Sequence, residues 1–168
     1  MQVFERRSLS ATPELRVLRA AERQVRVRRR VWQGVRGLGA LSLLAVGAVH
    51  LQQYVTLYSA IPTIGTLFVL NFAGATAIAF GLLAPVEHVF SRFGAAILAL
   101  LTLGGIGLAA IAFAFLLVSE RTPLFGFMEP GYDPPAIMAS RVGELATVLF
   151  LGSFLFVRFV RRVPVGRW

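Results

Sequence analysis

Six polar or ionisable side chains lie inside long apolar segments of this 168-residue chain. These residues are His50, Gln53, Tyr54, Asn71, Arg141 and Glu144. An apolar segment of bilayer length tolerates such groups only where they face other protein groups or water. Because imidazole, carboxylate and amide groups can exchange protons or hydrogen bonds with small molecules, the set predicts a polar pocket for a ligand or a proton.

The spacing of these residues predicts that some of them meet. His50, Gln53 and Tyr54 stand at positions i, i+3 and i+4, so they share one face of a helix. Arg141 and Glu144 are three residues apart, close enough for an intrahelical ion pair, and Glu144 could equally accept a hydrogen bond from His50. A simpler interpretation is that these polar groups bond to one another and fix the register of the helices. The sequence leaves both interpretations open.

The same residues form no catalytic or metal-binding pattern. The chain has two histidines, and His88 belongs to a different segment from His50, so a haem held between facing histidines is not predicted. Zinc needs three or four ligands, more than His50 and Glu144 supply. The absence of cysteine excludes thiolate sites and disulfides. With no nucleophile and base motif and no phosphate loop, we predict no catalytic residues, no metal and no cofactor.

Four apolar segments must position the polar set. Hydrophobic residues make up 57% of the chain and charged residues 15%, against about 25% charged in soluble domains. Runs of bilayer length predict transmembrane helices over residues 38–57, 64–84, 94–118 and 136–157. The predicted fold is therefore all-α and membrane-embedded. It is a four-transmembrane-helix bundle over 37–157, preceded by a basic arm, 1–36, and followed by a basic tail, 158–168.

The distribution of arginine predicts the orientation. All 17 basic residues are arginine; ten precede Gly37 and four follow residue 157. The segments on the opposite side, 58–63 and 119–135, hold only Arg121. Because positive flanks favour the cytoplasmic side, we predict a multi-pass protein of a bacterial plasma membrane with both termini in the cytoplasm. The polar set then lies in the outer leaflet.

The basic arm has helix signals of its own. Thr12 suits an N-cap, Pro13 the first helical position, and Glu14 the first turn. Apolar and basic residues then recur with helical spacing, which predicts an amphipathic helix on an anionic membrane surface; the alternative is a solvated, partly disordered arm. The predicted contacts to lipid head groups are Arg16, Arg19, Arg23, Arg26, Arg30 and Trp32. No nucleic acid is predicted as a partner, because the charge flanks membrane segments.

The connection 119–135 differs from the other connections. It contains prolines and glycines throughout, three aromatic side chains, and three acidic residues, Glu120, Glu129 and Asp133. Long irregular loops in compact proteins are often lids or binding loops. The alternative is an interfacial loop whose aromatic side chains rest among lipid head groups.

The residues around the first hinge carry a resemblance. His50-Leu51-x-x-Tyr54, Ile61-Pro62-x-Ile64-Gly65, Leu67-Phe68 and Leu70-Asn71 resemble the motif of small four-span membrane proteins common in actinobacteria. The resemblance covers residues 38–84 and implies the same four-helix topology and a plasma-membrane location. It implies no activity, and the long arginine-rich arm departs from the short N termini of that family.

These observations predict a non-enzymatic integral membrane protein that serves as an accessory or interaction subunit, with a protein partner in a membrane assembly. The alternative is a small transporter or ligand-binding membrane protein that uses the outer polar pocket. An enzyme that acts on a lipid or quinone has no catalytic signature in this sequence.

Overall fold

A computed structural model describes residues 13–160 of the chain, with the backbone alone at residues 13, 14, 16, 159 and 160. Three predictions therefore lie outside the described residues: Thr12 as an N-cap, the side chain of Arg16 as a lipid contact, and the tail beyond residue 160. Within 13–160 the secondary structure is helical, apart from one isolated bridge between Leu124 and Phe127.

The described chain forms five α-helices. They are α1 (Pro13–Gln53), α2 (Pro62–Leu83), the short α3 (Val86–Val89), α4 (Gly94–Ser119) and α5 (Pro134–Leu155). A π-helical turn, Tyr54–Tyr58, continues α1, and a second, Phe156–Val160, continues α5. Four of the helices, α1, α2, α4 and α5, are long and apolar enough to cross a membrane. The prediction of an all-α, four-helix membrane bundle is confirmed.

The arm and the first span form one continuous helix. α1 has 41 residues, which at 1.5 Å per residue gives about 60 Å. Helix-forming Leu, Arg, Ala, Glu and Gln dominate its first half, and no proline interrupts it after Pro13. Residue 15 and residues 17–31 are exposed, and burial begins at Trp32. The predicted boundary between arm and bundle is thus a change of environment within a helix.

The long helices pack in the cyclic order α1, α2, α4, α5, and α1 contacts α4 little across the diagonal. Fully buried Leu43, Leu82, Leu98 and Leu151 form the centre together with small residues of α1 and α2. In lipid, no hydrophobic effect drives helices together. Small residues matter there because they let the helix backbones approach closely and pack. A Cβ added at Gly105 would lie 2.7 Å from Leu151 Cδ1.

The outward faces of the spans are apolar. Leu100, Leu103, Ile111, Val142 and Leu149 are all more than half exposed. A water-soluble protein rarely shows such a continuous apolar surface. A lipid environment removes the cost of exposing this surface. The apolar outward faces and the lengths of the four helices therefore both fit a membrane-spanning bundle.

A tight turn joins α1 to α2. Ile61 N donates to Tyr58 O at 3.1 Å, and Gly65 N donates to Ile61 O at 2.7 Å. Pro62 is the first residue of α2. The backbone N–H at this position has no partner within a helix, so its absence in proline costs nothing. A Cβ at Gly65 would lie 2.8 Å from Tyr58 O, so the turn needs glycine there. The two helices form an antiparallel hairpin.

Residues 120–133, here named the capping loop, fold onto the same end of the bundle as this turn. Phe125 and Gly126 have φ of 52° and 80°, the sign that a type I′ turn requires at both central positions. Leu124 and Phe127 exchange backbone bonds of 2.7 and 3.0 Å, and Glu129 N donates to Ser119 O at 2.8 Å. We call this end of the bundle the loop end.

The start of the last span is two residues earlier than predicted. α5 begins at Pro134 instead of residue 136. Asp133 is its N-cap, and its Oδ1 accepts from Ala136 N at 3.2 Å. An aspartate cap followed by proline at the first helical position is a strong start signal.

Candidate functional site

A cavity of about 230 Å³ lies between the four long helices at the loop end. Its walls are largely apolar, with Leu67, Phe68, Leu108, Ile111 and Phe115 among them. The capping loop contributes to the wall as well. Eight polar or ionisable side chains also line the cavity: His50, Gln53, Tyr58, Asn71, Ser119, Glu129, Ser140 and Glu144.

Two of these side chains lie deepest. Asn71 is nine residues after the start of α2 and Glu144 ten after the start of α5, which places both about 14 to 15 Å from the loop end. Asn71 is 7% exposed and Glu144 1% exposed. They therefore occupy the same level of the bundle on two different helices.

The hydrogen bonding of this deep pair is incomplete. Glu144 Oε1 accepts from Ser140 Oγ at 2.9 Å, one turn earlier on the same helix. Glu144 Oε2 and Asn71 Oδ1 are buried and have no hydrogen-bond partner among the described residues. An unsatisfied buried group of this kind costs about 1–3 kcal/mol. The cavity thus contains two oxygen acceptors that no described protein group satisfies.

His50 stands at a similar level on α1. Its Nδ1 lies 2.9 Å from Val46 O, and because a carbonyl only accepts, Nδ1 carries the proton in this bond. The other ring nitrogen is then an acceptor in the neutral imidazole. The ring centre lies 5.0 Å from that of Phe68, which holds the imidazole against α2.

Two side-chain bonds tie the capping loop to the end of α1. Tyr58 Oη donates to the carboxylate of Glu129, whose Oε1 also accepts from Gly131 N at 2.9 Å and Tyr132 N at 3.2 Å. Gln53 Nε2 donates to Asp133 Oδ2 at 2.7 Å. The loop is therefore held over the cavity by polar contacts as well as by aromatic ring contacts.

Of the predicted polar set, the structure brings His50, Gln53, Asn71 and Glu144 onto one cavity. Tyr54 is not among its lining residues. The Tyr54 ring packs over Gly65, where an added Cβ would lie 3.3 Å from Tyr54 Cε2. Gly65 has no side chain, so it leaves room for this ring beside the hinge, and Tyr58 enters the cavity in its place.

Arg141 also departs from the sequence prediction. It pairs with Glu120 at the start of the capping loop, with Nη2 2.5 Å from both carboxylate oxygens. It does not pair with Glu144 and does not line the cavity. The Glu120 side chain is 28% exposed, so pairing there desolvates charge less than pairing with fully buried Glu144 would.

The predicted polar set lacked four polar side chains that line the cavity: Tyr58, Ser119, Glu129 and Ser140. Ser140 is four residues before Glu144, a spacing that puts a hydroxyl beside a carboxylate on one helix face. Tyr58 and Glu129 are 71 residues apart and carried no local signal of their contact. Of the predicted lipid contacts, Arg19, Arg23, Arg26 and Arg30 are exposed on the arm, and Trp32 is partly buried against the core.

The cavity has features that suit recognition of a ligand. Its unsatisfied atoms are acceptors, its walls are apolar, and residues 13–160 contain no cluster of three or more His, Cys, Asp or Glu side chains suited to a metal ion. A molecule with an apolar body and an N–H or O–H group would complement both features. Comparisons with known protein families, curated proteins and solved structures find no match to this chain.

Proposed function

We propose that this integral membrane protein binds a small, mainly apolar ligand in its intramembrane cavity, through a hydrogen-bond donor on the ligand. The observation that carries the proposal is the pair of buried acceptors without partners, Asn71 Oδ1 and Glu144 Oε2, on one cavity. A ligand N–H or O–H that reached either oxygen would remove the cost of burying it unsatisfied.

The hydrogen-bond pattern favours this proposal over a role in helix register alone. Polar groups that fix register bond from one helix to another. Here Glu144 bonds to its own helix at Ser140, and His50 to its own helix at Val46. Asn71, from the facing helix α2, leaves its oxygen open. The deep polar groups therefore hold positions around the cavity without linking the helices.

The size of the cavity limits the ligand. An apolar protein cavity of about 150 Å³ accommodates benzene, and drug-sized ligands occupy about 300–1,000 Å³. At about 230 Å³, this cavity suits one ring or a short branched chain with one polar group.

A thermal-shift series on the purified protein tests the proposal. Benzyl alcohol and benzylamine carry a donor, and toluene of nearly the same shape carries none. A ligand at about 100 times its Kd stabilises the folded state by about 2.7 kcal/mol. We expect the melting temperature to rise with the donor compounds and not with toluene, and equal effects of all three would refute the proposal.

The orientation is part of the proposal. Ten arginines before Gly37 and four after residue 157 support a cytoplasmic position for both termini in a bacterial plasma membrane. The cavity then opens in the outer leaflet. The chain lacks cysteine, so Ser59→Cys should react with an impermeant thiol reagent in intact cells and Ser91→Cys should not. The reverse pattern would contradict the orientation.

A second candidate is an accessory subunit that contacts a protein partner. The observation that favours it is the arm of α1, where Leu15, Val17, Leu18, Val25 and Val27 are exposed. Co-purification in mild detergent separates the candidates, because a stoichiometric protein partner lost on deletion of residues 1–31 would support the subunit role. The hinge residues around Ile61-Pro62 support, as a further proposal, membership of the actinobacterial four-span family.

A further inference from the structure

A second, charged groove lies at the opposite end of the bundle. Its volume is about 700 Å³, and it is bounded by α1, the connection between α2 and α4, and the end of α5. Arg28, Arg29 and Arg36 reach it from α1, and Arg158 reaches it from the π-helical turn that follows α5. We call it the arm groove.

Trp32 forms the centre of this groove. The guanidinium carbons of Arg28 and Arg158 lie 5.6 and 5.0 Å from its ring centre, within the range of a cation–π contact. The same ring packs against the apolar core of the bundle. Its Nε1 is buried and has no hydrogen-bond partner among the described residues, so the indole N–H is a donor that remains available.

The charge in the arm groove is unbalanced. Four arginines line it, and Glu87 is the one acidic residue among the described residues that do so. Glu87 lies 2.5 Å from Arg158 Nη2. Arg28, Arg29 and Arg36 concentrate positive charge beside that pair, and gathering like charges is unfavourable unless an anion joins them. Guanidinium groups match the oxygens of phosphate in a bidentate geometry.

The position of the groove along the length of the bundle indicates which anion it meets. Arg28, Arg29 and Arg36 precede the first apolar span, and Leu83 and Phe154 on the groove wall lie near the ends of α2 and α5. The groove therefore lies where the apolar spans give way to polar chain, which is the level of lipid head groups. Trp32 at this level is also typical of a membrane interface.

We propose that the arm groove binds the phosphate of an anionic phospholipid head group. This site shares Trp32 with the lipid surface predicted from the sequence but uses other arginines, because Arg19, Arg23, Arg26 and Arg30 line a different face of α1. At about 3.6 residues per turn, that face is about two-fifths of a turn away from the face of Arg28, Trp32 and Arg36. Arg36 is partly buried at the edge of the bundle, and Arg28, which is exposed, contacts the Trp32 ring.

The quenching of Trp32 fluorescence by brominated lipids tests this proposal. The chain has two tryptophans, and Trp168→Phe leaves Trp32 as the only reporter in the full-length protein. We expect brominated phosphatidylglycerol in nanodiscs to quench Trp32 at a lower mole fraction than phosphatidylcholine with the same brominated chains. Removing one arginine from the groove should reduce this preference about fivefold.

A charge-matched control separates a site from diffuse attraction. Three substitutions in the groove, Arg28→Gln, Arg29→Gln and Arg36→Gln, should abolish the preference. Three on the other face, Arg19→Gln, Arg23→Gln and Arg26→Gln, remove the same charge and should leave it. Equal losses in both triple variants would overturn the proposal, as would equal quenching by both lipids in the unsubstituted protein.

Two further measurements complete the test. Circular dichroism checks that the groove variant is folded, and if it is not, Arg36→Gln alone should show the fivefold reduction; no reduction there would also overturn the proposal. Glycerol phosphate added in water identifies the source of the phosphate. Competition at low millimolar concentration would assign the phosphate site to a soluble compound, and absence of competition supports the lipid.

Discussion

Asn71→Leu is predicted to stabilise the empty protein, although it removes a polar residue from the proposed site. Leucine branches at the same carbon as asparagine, and its larger methyl groups can extend into the cavity on which the Asn71 side chain lies, 7% exposed. The substitution removes Oδ1, which is buried without a partner. Because such an atom costs about 1–3 kcal/mol, the unfolding free energy should rise by that amount.

Gln53→Leu is the matched contrast, because it also replaces an amide with leucine. Gln53 Nε2 donates to Asp133 Oδ2 at 2.7 Å, so its loss leaves a carboxylate oxygen unsatisfied beside the cavity. The unfolding free energy should therefore fall by about 1–3 kcal/mol. The two variants are therefore predicted to change the unfolding free energy in opposite directions. Gln52→Leu, at an exposed position of α1, should have little effect.

Thermal unfolding of the purified proteins in one detergent measures both effects. For a domain of this size, 1 kcal/mol corresponds to about 2–4 °C in melting temperature. We expect Asn71→Leu to melt above the unsubstituted protein and Gln53→Leu below it. If Asn71→Leu melts as low as Gln53→Leu, then the Asn71 amide is satisfied in the folded protein and the reasoning about an open acceptor is wrong.

Two other predictions concern the loop end and the core. Tyr58→Phe removes the hydroxyl that bonds to Glu129, so amide hydrogen exchange should accelerate across residues 120–133, and unchanged exchange would show that the bond does not hold the loop. Gly105→Ala places a Cβ 2.7 Å from Leu151 Cδ1 and should destabilise the bundle by about 1–3 kcal/mol. Gly107→Ala, with nothing within 4 Å, should be neutral or stabilising. Equal effects of the two alanines would contradict the packing.

Much of the fold could be predicted because bilayer length and apolar composition leave few solutions. Spans predicted at 64–84 and 94–118 differ from α2 and α4 by at most two residues at either end. The continuity of α1 through the arm was open in the sequence, since a charged segment can be either helical or disordered. The structure describes it as helix from Pro13.

The candidate site was only partly readable from the sequence. Counting residues along helices places His50, Asn71 and Glu144 at one level, and the structure has all three on the cavity. Partners were harder to predict, because Arg141 had two carboxylates within reach and the choice depended on how the capping loop folds. Tyr58 could not be assigned, since the π-helical turn that positions it has no clear sequence signal.

The most direct test of the proposed ligand site is a ¹⁹F NMR titration of the purified protein with two matched probes, 4-fluorobenzyl alcohol and 4-fluorotoluene. Both probes enter detergent micelles, so empty micelles give the background. We predict saturable binding of the alcohol at one site per chain, displaced by unlabelled benzyl alcohol and weakened at least about tenfold, or 1.4 kcal/mol, by Asn71→Leu. Identical, non-saturable partitioning of both probes, in the unsubstituted protein and in the variant, would contradict a ligand site in this cavity.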